Sequence, residues 1–400
     1  MKRRRVKITG IGPVTPAGTG CSLFWSGIQE PVSRIRAFPH LDAEIGPFVA
    51  GYIDDFKIES FVEKPAPKGA ARHTLFAIAA AALALEDAGL SAEALGGTDC
   101  AVVTGSSLMD FEIIGRTVEG FISKGVRGAL PRAVYTANSA CIPAAIADIL
   151  NLKARTMGVQ SSCCSGLDAI GHAARLVSQG EVDLAICGGT EAPLFRCPMV
   201  ELRAAGLTPA TAESPDKIDR PFDLWRTTGV VSEGAAMFVI EPESSPREGY
   251  AFIEGYAFAH DEANDLCGGM VTAIKQTLAD ARIGANRVDA ISAWGPGHRA
   301  IDAAEVTALK RVFSDRLGDV LANSIKGAVG NALGAAAAIQ VAASALSLSS
   351  GVLLPTVNWE YPDPACPLNL SSNLRAVPHS ATLVNAHGLA GVNTSLLLTK

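Results

Sequence analysis

The chain has 400 residues, with 34 Lys plus Arg against 40 Asp plus Glu for a net charge of −6, and it is 48% hydrophobic with 39 glycines and only 18% charged residues. Soluble domains carry roughly 25% charged residues and about 7% Gly, so this composition points to a surface partly covered by another chain. The negative balance argues against a nucleic-acid or anionic-membrane partner, either of which needs a basic face.

The one basic cluster, residues 2–5, runs into Val6-Lys7-Ile8-Thr9-Gly10. A secretory signal needs an apolar h-region there, so that reading fails. The run at 75–85 is shorter than the roughly 20 residues of a membrane span and reads as a buried Ala-rich helix. A soluble, cytoplasmic protein without a membrane span is expected. Nine cysteines without a CxxC pair suggest neither a disulfide framework nor structural zinc nor thioredoxin-like chemistry. No metal and no cofactor is expected, and the only adjacent cysteines are Cys163 and Cys164.

In chain order, 6–11 reads as a strand, 75–88 as a helix, 100–104 as a strand, 167–178 as a helix, 184–187 and 236–240 as strands. Then come a helix at 270–281, a strand at 290–294, a helix at 335–348 and a strand at 381–385. Short apolar strands alternating with longer helices predict a layered α/β fold with helices on the sheet faces. Leu167, Ile170, Ala174 and Val177 mark one helix face, and Gly180 is placed to stop it. The unit helix, Gly, strand occurs at 165–189 and again at 330–357, and an earlier strand ending in Gly occurs at 101–105 and 290–295. This is a faint internal repeat.

The strongest local signal is Ser161-Ser162-Cys163-Cys164-Ser165-Gly166, a small-residue turn leading into a helix. A thiol there faces the helix N-terminus, where the dipole and free amides favour the thiolate and lower its pKa, which would make Cys163 a nucleophile. A pair of buried cysteines acting as small hydrophobes is the alternative.

The segment 159–191, VQSSCCSGLDAIGHAARLVSQGEVDLAICGGTE, closely resembles the active-site region of the β-ketoacyl synthases, the condensing enzymes of fatty-acid and polyketide synthesis. Residues 6–18 are similar to that family's opening motif, 219–223 with 229–241 to its Arg-Pro-Phe-Asp and Glu-Gly-Ala stretch, and 326–336 and 385–393 to its two C-terminal signatures. The resemblance implies a thiolase fold of duplicated βαβαβαββ halves in five α-β-α-β-α layers. It implies an N-terminal half at 1–245 with the cysteine, and a C-terminal half at 246–400 with Trp294, Lys326, Asn331 and the 388–391 gate.

The family's roles fall on Cys163 as the nucleophile that takes an acyl chain from the phosphopantetheine of acyl carrier protein. They fall on the backbone amides of Cys163 and Leu389 as the oxyanion hole, and on Lys326 as the ordering lysine. Two family histidines hold the malonyl carbonyl during decarboxylation, and here those positions are Trp294 and Asn331. The pantetheine threonines fall at Pro296 and His298, the glutamate paired with the lysine falls at Gln340, and the gate reads Gly388-Leu389-Ala390-Gly391. Trp294 reads as steric filler ahead of surrogate donor, because indole donates but cannot accept a proton. His298 and His387 could both reach the pocket, His172 reads as structural, and Asp302 with Glu305 reads as a solvated or interface face.

Two functions stay open on these residues. The preferred one is a chain-length-factor-like partner of an active ketosynthase, as a heterodimer or self-paired, working with acyl carrier protein. The alternative is an acyltransferase or non-standard condensing enzyme using Cys163. An inert scaffold has no positive support in the sequence.

Overall fold

The computed structural model describes residues 3–39, 41, 45–91, 93–263 and 265–400. Ten strands form one continuous hydrogen-bonded path and are numbered β1 (Val6–Thr15), β2 (Cys100–Gly105), β3 (Ala154–Val159), β4 (Leu184–Glu191) and β5 (Gly234–Pro242), followed by β6 (Ala251–His260), β7 (Ala290–Ser292), β8 (Leu321–Asn323), β9 (Ala381–Gly388) and β10 (Val392–Thr399). Their spatial order is β8-β7-β9-β10-β6-β1-β5-β4-β2-β3. The first five strands therefore lie in the order 3-2-4-5-1, and the second five, counted from β6, lie in the same order. In each set the first two contacts from the outer edge are parallel and the next two antiparallel. The faint repeat of the sequence is a duplication of topology.

Alternation along the strands explains the layering. Val103 of β2 and Cys187 of β4 face a central core, while their neighbours Val102 and Ile186 face an outer one. In the second set Val384 of β9 faces the same central core and Leu383 faces another outer one. Both faces of each strand set are covered, which is why these strands read as apolar runs rather than as clean alternation. The outer layers are α1 (Arg72–Asp87) with α2 (Cys141–Ile149) on one side, and α4 (Gly268–Asp280) with α5 (Arg299–Phe313) on the other. The centre is α3 (Ser165–Gln179) against α6 (Ala336–Ser350). This is the five-layered α/β thiolase fold.

Four of the expected helices stand within a few residues of their positions, and Gly180 stops α3 in the left-handed conformation at φ 76°. The second half of the repeat needs correction. After α6 the chain makes only the two-residue strand Val352–Leu353 in a separate small sheet, and the counterpart of β4 is β9, which follows a long irregular segment. Lys2 lies outside the described residues; its neighbours Arg3 and Arg5 pair with Asp280, Glu243 and Glu254. The stretch Leu333–Ser350 has the length and hydropathy of a membrane span, but 89% of it is buried in the central layer.

Backbones approach closely where the layers meet beneath Cys163. A Cβ added to Gly166 would stand 2.6 Å from Gly334 O and 3.1 Å from Gly189 Cα. The Gly166→Val variant should lose about 3 kcal/mol or more through overpacking, read as a lower urea midpoint. A midpoint equal to that of the unmodified chain would show that the central layers can part there.

Candidate active site

The turn after β3 carries the thiol. Ser162 holds φ 55°, and the Ser165 hydroxyl staples the turn, accepting from Ser161 N–H at 2.9 Å and donating to Ser162 O at 2.5 Å. Cys163 is 7% exposed at the floor of a cavity of about 40 Å3 that also meets Trp294, Asn331, His298, His387 and Leu389. A water needs roughly 10–15 Å3 by this kind of measure, so the space holds a few waters at most. Four of the five side chains expected at the site, Cys163, Trp294, Asn331 and Leu389, are thus brought together, and Lys326 lies directly behind Trp294.

The thiol differs from expectation. Burial pushes the Cys163 pKa up, against the Ser162 hydroxyl, the Leu389 backbone N–H and Lys326, which all favour the thiolate. Placement at a helix start is outweighed by the loss of water around the sulfur. Cys164 is fully buried with its sulfur 3.5 Å from Val392 O, a packing residue.

Lys326 opens the short helix Lys326–Val329 and is 1% exposed. Its ammonium donates to Trp294 O at 2.6 Å and to Gln340 Oε1 at 2.9 Å, and lies 3.8 Å from the Trp294 ring centroid. Such a cation–π contact is worth ~2 kcal/mol when desolvated. Burial lowers the Lys326 pKa to about 7, with Glu305, Asp219 and Asp302 opposing that fall. Gln340 takes the place at the lysine, and its NH2 donates to Ala293 O at 3.0 Å.

Asp302 and Glu305 overturn the reading of a solvated face. Both are buried at 1% exposure or less. Glu305 accepts from the N–H groups of Trp294 and Gly295 at 2.9 and 2.8 Å, and Asp302 accepts from Phe222 N–H at 2.8 Å beside Arg226. Burial raises both carboxyls, Asp302 to about 7. Glu305 clamps the backbone that presents Trp294, and Asp302 holds Phe222, which lies 80 residues away in the chain.

Asn331 is fixed by its backbone to Val230 and Ser232, and its Oδ1 accepts from Leu333 N–H at 3.3 Å. The oxygen is engaged, so the NH2 is the end able to donate to a bound molecule. Pro296 lines the cavity, and His298 caps α5, its Nδ1 accepting from Ile301 N–H at 3.4 Å. His172 packs edge-on against Tyr256 at 5.8 Å, away from the cavity lining. Leu389 is 51% exposed at the mouth, followed by Ala390 at φ 66°.

A buried cysteine at a strand-to-helix turn, with a lysine behind it in a duplicated five-layer fold, has clear relatives. The Beta-ketoacyl synthase, N-terminal domain matches residues 3–245 and the Beta-ketoacyl synthase, C-terminal domain matches 250–360. The chain belongs to the β-ketoacyl synthase family. It is 29% identical over 411 residues to 3-oxoacyl-acyl-carrier-protein synthase 2 of Coxiella burnetii, covering 100% of this chain and 99% of that protein. It is 30% identical over 417 residues to the tetracenomycin polyketide synthase ketoacyl synthase alpha subunit of Streptomyces glaucescens, covering 99% and 97%. Among solved structures it matches the ishigamide ketosynthase/chain length factor with a TM-score of 0.92 at 27% identity, over 100% of this chain and 99% of that one. A type II polyketide ketosynthase bound to a hexaketide, in complex with its acyl carrier protein, matches with a TM-score of 0.89 at 25% identity, over 99% of each chain.

Within this family site, Glu191 supplies a pH test. It is buried and accepts from Ser107 N–H at 2.7 Å, Ser106 Oγ at 3.1 Å and Gly334 N–H at 3.2 Å, yet burial raises its carboxyl to about 7. A raised carboxyl stabilises the fold fully below its ordinary pKa near 4.5 and loses that contribution as pH rises through about 7. The melting temperature should fall between pH 5 and 8, and Glu191→Gln should flatten that slope; an unchanged slope would place the titration elsewhere. Separately, Trp294→Ala should cost about 3–5 kcal/mol and speed iodoacetamide labelling of Cys163. Unchanged stability together with unchanged labelling would show that the indole neither packs nor shields.

Proposed function

We propose that this chain is the non-condensing partner of an active ketosynthase, a chain-length-factor-like subunit handling acyl chains carried by acyl carrier protein in fatty-acid or type II polyketide synthesis. The observation that carries the reading is Trp294, buried and capping Lys326 in a cavity of about 40 Å3. Decarboxylative condensation needs donors on the forming enolate, each worth about 3 kcal/mol by analogy with an oxyanion donor. Asn331 supplies one amide, while the indole at 294 fills space and cannot shuttle a proton.

The surface supports a partner. Val118, Phe121, Ile122, Val126, Val134 and Tyr135 stand out between residues 111 and 136, each at least half exposed. The strand β3 ends the sheet with Met157 exposed beside its free edge. Apolar side chains of this kind on one segment mark an association face, and an unpaired strand edge marks another. The relatives that are a ketosynthase/chain length factor and a ketosynthase with its carrier protein supply the class of partner.

A second reading, acyl transfer by Cys163 to an acceptor other than a malonyl carbanion, is favoured by the retained thiol with the Leu389 N–H bearing on it. That chemistry needs a thiolate and an oxyanion site but no decarboxylation.

Co-expression with an active ketosynthase and size-exclusion chromatography with light scattering tests the partner reading. A one-to-one pair is expected, abolished by Phe121→Asp with Ile122→Asp, and the product chain length should change when this subunit is present. A synthase that elutes alone and makes the same products with or without this chain would overturn it.

A further inference from the structure

The basic run that opens the chain finds its place at a pocket far from Cys163. The start of β1, the last turn of α3, β6 and the end of α4 enclose a space of about 260 Å3. It lies at the other end of α3 from the nucleophile turn, roughly 15 Å along the helix axis from Ser165 to Arg175. Five arginines line it, at positions 3, 4, 5, 175 and 282, against two carboxylates, Asp280 and Glu254. In a chain of net charge −6, that gathering of cations runs against the rest of the composition.

Two of the arginines are already neutralised. Arg3 forks onto both oxygens of Asp280 while its Nε donates to Ser178 Oγ at 3.2 Å, and Arg5 is held by Glu254 and Glu243. The other three meet no carboxylate among the described residues. Arg4 and Arg282 make no side-chain hydrogen bond or ion pair there at all. Arg175 donates from Nη2 to Tyr256 O at 3.3 Å and lies 4.7 Å from the centroid of that ring. Three like charges from separate elements thus converge on one concave space without a counter-charge, an arrangement that attracts an anion.

The charge balance selects the class of anion. α3 and α4 both end at this pocket, and each helix C-terminus carries about half a negative charge. Set against three unpaired guanidiniums, they leave close to two positive charges, which a phosphate dianion matches and a carboxylate does not. The guanidinium fork meets two phosphate oxygens at once, a geometry that a lysine cannot offer. Between the arginines the lining is apolar, from Val6, Ala174, Ile253 and Ala281, and an organic body fits on that floor. We propose that this pocket binds a phosphate group carried by a small organic molecule, held by Arg4, Arg175 and Arg282. The site goes beyond the partner role and shares no residue with the Cys163 cavity.

Isothermal titration calorimetry on the full-length chain, at about pH 8 where phosphate is a dianion and at fixed low ionic strength, tests it with phenyl phosphate, inorganic phosphate and benzoate. Phenyl phosphate should bind one to one, more tightly than inorganic phosphate, and about 10-fold or more above benzoate. The double variant Arg4→Ala with Arg282→Ala should weaken phenyl phosphate about 100-fold, each lost charged donor accounting for roughly tenfold. Neither side chain has a partner in the fold, so the urea midpoint of that variant without phosphate should equal that of the unmodified chain. Absence of saturable binding by either phosphate, benzoate bound as tightly as phenyl phosphate, or a double variant that binds as the unmodified chain does would each overturn the site. Inorganic phosphate bound as tightly as the ester would overturn the organic body. Neither Cys163 nor a synthase takes part, so the result is independent of the pairing reading.

Discussion

A buried ammonium sets the terms for this site. Lys326 is enclosed on every side, and a cation in that position must find oxygen or π-electron partners or lose its proton. It takes the Trp294 carbonyl, the Gln340 amide oxygen and the indole face together. The carbonyl and the ring belong to one residue, so moving Trp294 would uncover the ammonium twice. Glu305 then holds the amides of Trp294 and Gly295 from below, and Asp302 ties α5 to Phe222. The indole is therefore part of the cage around the lysine rather than a side chain free to swing out and admit a substrate.

That constraint divides the cavity. On the side of Cys163 lie a thiol at a stapled turn and a backbone amide from Leu389 bearing on it. On the side of Trp294 and Asn331 the space is filled and the donors are few. The proposed partner role rests on that division.

Much of the architecture was legible in the sequence, because strands covered on both faces read as apolar runs and α3 carries its apolar face at helical spacing. β6 and β10 went unseen for local reasons: Glu254 and Gly255 interrupt one, and Asn393-Thr394-Ser395 opens the other. The site residues carried by motif, Cys163, Trp294, Lys326, Asn331 and Leu389, are neighbours in space. What the sequence could not give were effects of enclosure. Asp302 and Glu305 look like an exposed pair on a helix until amides at 222, 294 and 295 are brought against them. The Cys163 thiol looks activated by its helix until burial is counted. Nothing near His387 in the chain shows that Asp261, 126 residues earlier, fixes its ring through Asn393; the only signal was a histidine in a stretch otherwise small and apolar.

The proposed partner role requires that this chain not decarboxylate a malonyl thioester, and release of carbon dioxide from malonyl acyl carrier protein measures that most directly. With radiolabelled malonyl carrier and the isolated chain, release should stay at the uncatalysed background. Release at the rate of an active ketosynthase assayed alongside, abolished by Trp294→Ala, would show that the indole acts in the reaction and would contradict the account.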